Sequence, residues 1–131
     1  MPQEHAVRTQ HFIVIDLVLV AIFATVGRAS HGESLTPAGI FHTAWPFMTA
    51  LLVSWAVMLL RRRPTATVAA GIFVWICTVA GGMFLRSWSG DGTAVPFIIV
   101  ATVVLAVLLI GWRLVRQVVG RGEEPPADTV D

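Results

Sequence analysis

Four long apolar stretches, Phe12 to Ala29, Ala38 to Leu60, Thr67 to Leu85 and Ala94 to Trp112, fill most of this 131-residue chain, with only short polar connectors between them. Each approaches the roughly 20 residues that a helix rising 1.5 Å per residue needs to cross a hydrocarbon layer about 30 Å thick. Lipid offers a backbone amide no partner, so such a segment can satisfy its own peptide groups there only as a helix. The chain therefore reads as all-α, an integral membrane four-helix bundle with spans at about 12–29, 38–60, 67–85 and 94–112. Residues 1–11 read as an N-terminal tail and 113–131 as a disordered C-terminal one, the latter because Glu123, Glu124, Pro125, Pro126 and Asp128 carry no apolar periodicity.

Composition agrees: 56% of residues are hydrophobic and 13% charged, with a mean hydropathy of +0.77, which leaves no room for a sizeable extramembrane domain within these residues. A net charge of +1 argues against a nucleic-acid partner, which needs a concentrated basic face. Cys77 has no second cysteine to pair with and defines no redox motif. The first apolar run is longer than a usual signal-peptide core and has few basic residues before it, so it is expected to be retained as a span.

Every basic residue is an arginine, and their distribution sets the expected orientation. Arg8, Arg61, Arg62, Arg63, Arg113, Arg116 and Arg121 fall on the side of the termini and the second connector, against Arg28 and Arg86 on the other. By the positive-inside rule both termini are cytoplasmic, in a multi-pass protein of the plasma membrane.

Local signals place the helix ends. Thr36-Pro37 reads as an N-cap followed by a first-turn proline. Trp45-Pro46, about two turns later, predicts a kink that frees the carbonyl of His42. Gly92 or Thr93 is placed to cap the fourth helix, and Gly71, Gly81 and Gly82 thin the third so that neighbours can approach closely. The outer connectors echo one another: Arg28, Gly32, Glu33, Thr36 and Pro37 recur as Arg86, Gly90, Asp91, Thr93 and Pro96. The two hairpins are thus candidates for a parallel repeat about an axis along the membrane normal.

The strings Gly27-Arg28-Ala29-Ser30-His31-Gly32-Glu33, Ala44-Trp45-Pro46-Phe47 and Gly90-Asp91-Gly92-Thr93-Ala94, with Asp16 in the first span, carry a further signal. This ordered set resembles a family of small actinobacterial membrane proteins catalogued only as a domain of unknown function. The resemblance covers roughly Asp16 to Trp112 and implies four helices and residence in a bacterial membrane. It implies no activity.

Asp16 is the most informative single position. It lies about four residues into the first span, roughly 6 Å below its start, where a charge costs on the order of 2 to 3 kcal/mol unless it is paired, hydrated or protonated. One reading pairs it with Arg62 or Arg113, or with a hydrogen bond from Trp75 or Thr78; the other makes it a titrating carboxylate for proton or cation coupling. Arg28 and Arg86, at outward-facing helix ends, either anchor the helices or act together as an anion clamp, with Glu33 and Asp91 holding or neutralising them. His31 and His42 share that rim and, with Glu33, supply metal-ligand types, but the spacing matches no metal signature and no haem pair is evident, so no metal or cofactor is expected. Trp88 and Trp112 read as interface anchors; Trp55 reads as packing, while Trp45, Pro46 and Trp75 are candidates to line a cavity.

No nucleophile elbow, phosphate loop, HExxH or paired carboxylates are present, so the chain is not expected to be an enzyme. Three readings follow. The leading one is a transport-like unit for a small anion or headgroup, proton-coupled through Asp16 and assembled as a homo-oligomer. The alternatives are an accessory or scaffold subunit of a larger membrane partner, and a membrane enzyme acting on a lipid-linked phosphate with His31 or His42 as base.

Overall fold

The computed structural model describes residues 2–123, with side chains from Arg8 to Gly120. Its order is α1 (Pro2–Ser30), α2 (Pro37–Leu60), α3 (Val68–Trp88) and α4 (Val95–Glu123). The segments Arg8–Ser30, Pro37–Leu60, Val68–Trp88 and Val95–Gly120 are each long and apolar enough to cross a membrane, and there are no strands among the described residues. The helices pack as a ring, with sequence neighbours side by side and α1 closing against α4, and their backbones do not approach across the diagonals. Short connectors between antiparallel neighbours dictate this up-and-down order. The rim with the α1–α2 and α3–α4 turns is the outer rim of the positive-inside expectation, and the rim with the termini and the α2–α3 connector is the inner.

Two helices outrun their apolar stretches. α1 begins at Pro2, ten residues before Phe12, and α4 continues through Arg113 and Gly120 to Glu123. Gln, Glu, Ala, Arg, Leu and Val tolerate helix, and nothing in these flanks interrupts the hydrogen-bond ladder once it is started. The described parts of the expected tails, 2–11 and 113–123, are thus helical; the acidic stretch from Glu124 lies outside the described residues.

The caps explain most boundaries. Thr36 and Thr67 sit in extended backbone, and their hydroxyls accept from the amides of Gly39 and Ala70 at 3.0 and 3.1 Å. α4 starts later than expected. Its first ladder bond runs from the Ile98 amide to Ala94, so neither Gly92 nor Thr93 occupies the cap position. Pro46 lies buried within an unbroken α2.

α1 and α3 end alike. Gly32 (φ +68°) and Gly90 (φ +91°) adopt the left-handed conformation, the amides of Glu33 and Asp91 reach back to the carbonyls of Arg28 and Arg86, and those of Gly32 and Gly90 to Ala29 and Ser87. This double return is the Schellman closure that glycine makes easy. α2 closes the same way with Arg62 in the glycine position, at φ +53°.

The core is built where α3 is thinnest. Phe47 of α2 meets Phe23 edge-on at 5.1 Å, and both lie 6.1 Å from Phe97 of α4. A Cβ on Gly82 would fall inside the van der Waals radius of the Phe47 ring, and one on Gly71 would come 2.8 Å from Arg113 Cδ. Between lipid-solvated helices there is no hydrophobic drive to associate, so such close approach supplies the packing energy.

Gly82→Ala should therefore lower the thermal stability of the detergent-solubilised protein by about 1–3 kcal/mol, because Phe47 is wedged by two other rings and cannot retreat. Gly111→Ala, where a Cβ meets nothing within 4 Å, should be neutral or slightly stabilising. Equal melting of the Gly82 variant and the parent would contradict the packing account.

Candidate functional site

The Schellman turns place Arg28 and Arg86 at matching positions of the outer rim. Each guanidinium folds forward, and its Nε donates to the carbonyl six residues on: Ser34 at 2.7 Å for Arg28, Gly92 at 2.6 Å for Arg86. Beyond that the two diverge. Arg28 Nη1 donates to Thr43 Oγ1 at 3.0 Å and lies 3.0 Å from Glu33 Oε2, while Nη2 reaches Ser34 Oγ at 3.3 Å. A Cβ on Gly39 would lie 2.6 Å from Arg28 Nη2, so the first turn of α2 is bare where this arginine crosses it.

Arg86 has the same acid five residues on, Asp91, but does not pair with it. Asp91 Oδ2 faces His42 Nε2 of α2 at 3.2 Å, an ion pair when His42 is protonated, though its direction does not make a hydrogen bond. Arg86 instead lies with Cζ 4.2 Å over the Phe97 ring, and among the described residues no carboxylate comes within 4 Å of it. Arg28, His31, Glu33, Thr43, Arg86 and Phe97 surround an outward-opening cavity of about 170 Å³. That is below the 300 to 1,000 Å³ usual for drug-sized ligands and suits a single small polar group. Among the residues lining this cavity Glu33 offsets Arg28, and one positive charge is left over, on Arg86.

Asp16 lies near the other rim. It and Arg113 are both fully buried, joined through two hydrogen bonds, Nη1 to Oδ1 at 3.0 Å and Nη2 to Oδ2 at 2.7 Å. The indole nitrogens of Trp112 and Trp55 each donate to one carboxylate oxygen at 2.8 Å. Arg113 also donates through Nε to the Thr65 carbonyl and through Nη1 to that of Leu109. Of the expected partners, Arg113 is present and Arg62 is not. Trp75 donates to the Thr102 carbonyl instead, and Thr78 Oγ1 is buried with no hydrogen-bond partner.

The structure thus brings Arg28, His31, Glu33 and Arg86 into one cavity, sets His42 and Asp91 beside it, and separates Asp16 from all of them. Trp45 and Pro46 do not line the outer cavity; Pro46 is buried within the bundle and Trp45 is half-buried. Thr43 and Phe97 belong to the cavity without having been singled out, and Trp55 and Trp112 to the carboxylate. A signal for the indoles existed: a buried Trp N–H must find an acceptor, and Asp16 is the only acid inside a span. No group of three or more metal-ligating side chains occurs among the described residues.

A family model described as protein of unknown function (DUF3054) matches residues 13–116. No curated protein and no solved structure matches.

Removing one partner of a buried pair strands the other charge, whereas removing both does not. Asp16→Leu and Arg113→Met should each destabilise the solubilised protein by about 3–5 kcal/mol, and the double variant by clearly less than either. Thermal unfolding of the four proteins checks this, and additive losses would show that the two groups do not act as a unit.

Proposed function

Since the chain belongs to this family of proteins of unknown function, we propose a role from its own geometry: it is a membrane protein that recognises a small anionic group, a phosphate or carboxylate, at its outer rim. The observation that carries the reading is the cation without an acid. Arg28 and Arg86 occupy equivalent turns, yet only Arg28 pairs with the acid five residues later, while Asp91 faces His42 of α2. A planar guanidinium fixed at Nε by the Gly92 carbonyl and backed by Phe97 keeps both Nη groups available for a bidentate anion. Thr43 and His31 line the same cavity.

This reading keeps the anion of the transport-like expectation and sets aside proton coupling through Asp16. Both Asp16 oxygens already accept two donors each, so protonation would break a bidentate pair and strand Arg113. Beneath the cavity Phe23, Phe47 and Phe97 pack together, which makes the site a recess.

Titration of the purified protein with inorganic phosphate should give saturable binding that Arg86→Gln weakens at least about tenfold, the worth of one charge-assisted contact. His42→Ala should weaken it too, because Asp91 then faces no imidazole and can close on Arg86 as Glu33 does on Arg28. The double variant His42→Ala with Asp91→Asn should recover the parent affinity. Phosphate binding indifferent to Arg86 would remove the proposal.

A further inference from the structure

The inner rim holds a second basic recess, independent of the outer one. Arg8 of α1, Arg62 and Arg63 of the α2–α3 connector and Arg116 of α4 line a cavity of about 490 Å³ together with Phe12 and Thr67. Among the described side chains none of these four arginines is in an ion pair, and Asp16 is fully engaged by Arg113. Arg116 is held at the recess by stacking, its Cζ 5.0 Å above the Phe12 ring. Four guanidinium groups from three parts of the chain around one concavity repel one another unless an anion sits among them.

A second observation names what the anion is attached to. Beside the recess is a groove of about 630 Å³ between α2 and α3, walled by Val57, Met58, Ala69, Ala70 and Phe73. The two share Arg63, Pro64 and Thr67 in their linings, so the basic recess adjoins an apolar groove between two spanning helices. The left-handed turn at Arg62 divides the arginine run between them: Arg61 lines only the groove, Arg62 only the recess, and Arg63 both. A charged pocket adjoining a hydrocarbon-lined groove is complementary to a molecule with a phosphate at one end and an alkyl chain at the other.

We propose that the inner rim binds one anionic phospholipid, its phosphate among Arg62, Arg63 and Arg116 and one acyl chain along the α2–α3 groove. A zwitterionic phospholipid carries a cation that the unpaired arginines repel, so phosphatidylglycerol is preferred over phosphatidylcholine. The site is distinct from general attraction of anionic lipid to a basic rim, because it depends on the shape of an uncharged groove as well as on charge.

Native mass spectrometry and lipid titration of the full chain in a neutral detergent test it, with phosphatidylglycerol, phosphatidylcholine and soluble glycerol phosphate as probes. Phosphatidylglycerol should be retained at one per chain and the other two should not. Arg62→Gln with Arg63→Gln should weaken retention about thirtyfold, each charge contributing roughly a factor of five. Ala69→Trp fills the groove without changing charge and should release the lipid, whereas Val107→Trp, on the exposed face of α4, should not. Melting temperatures close to the parent's establish that each variant is folded, and Arg116→Gln provides an independent removal of charge outside the connector. Glycerol phosphate binding as tightly as the lipid would overturn the lipid in favour of a free phosphate site. Retention unaffected by Ala69→Trp, or lost equally with Val107→Trp, would overturn the groove and leave only diffuse attraction.

Discussion

The Asp16–Arg113 pair is the interaction on which the bundle's arrangement depends. In water an exposed pair of this kind would contribute little, but two fully buried charges in a low-dielectric interior are tolerable only when every strong acceptor and donor is met. Meeting them recruits three helices and a connector: Asp16 from α1, Trp55 from α2, Trp112 and Arg113 from α4, and the Thr65 carbonyl before α3. Gly71 then leaves α3 flat where the Arg113 stem passes. A slip of α4 by one turn would strand both charges, so the pair specifies register in a bundle whose apolar faces would pack in several ways.

At the outer rim identical local rules produce different electrostatics. Arginine three residues inside a glycine-closed helix end folds over the turn and bonds a carbonyl six residues ahead, at both places. What differs is the neighbour. α2 presents Thr43 and the bare Gly39 to Arg28, so that Glu33 closes on a guanidinium already held, and it presents His42 to Asp91, which does not pair with Arg86. The electrostatic asymmetry thus arises in the second helix, between two turns that are alike.

How far the sequence leads follows from which forces are local. The number and class of elements were legible because lipid imposes length and composition on each span separately, and the Thr36 and Thr67 caps because a cap is a contact within four residues. α4's start was misplaced because Gly92 is engaged by Arg86, a choice that the turn chemistry of Gly92 and Thr93 does not reveal. Asp16 was legible as an anomaly, and Arg113 as one of two partners, since both sit at the same depth. The indole donors were not, because Trp55 and Trp112 lie 39 and 96 residues away and only helix rotation decides whether they point inward. The free charge on Arg86 was hidden for a similar reason: the sequence pairs each arginine with an acid, and only the packing of α2 shows that one pairing is broken.

The two rims are better understood as separate surfaces than as the ends of one passage. An anion leaving the outer recess would meet first the Phe23, Phe47 and Phe97 cluster, then the buried Leu51, Val74 and Leu105, before reaching a pair whose net charge is zero. Crossing that layer unpaired costs at least about 2.5–3.5 kcal/mol for the charge alone, with nothing along the way to offset it. The arginine that faces the core, Arg113, is already satisfied by Asp16. The inner recess in turn adjoins the α2–α3 groove through Arg63, Pro64 and Thr67, and its arginines stand beyond the pair. Charge is therefore concentrated at both ends of the bundle and cancelled between them.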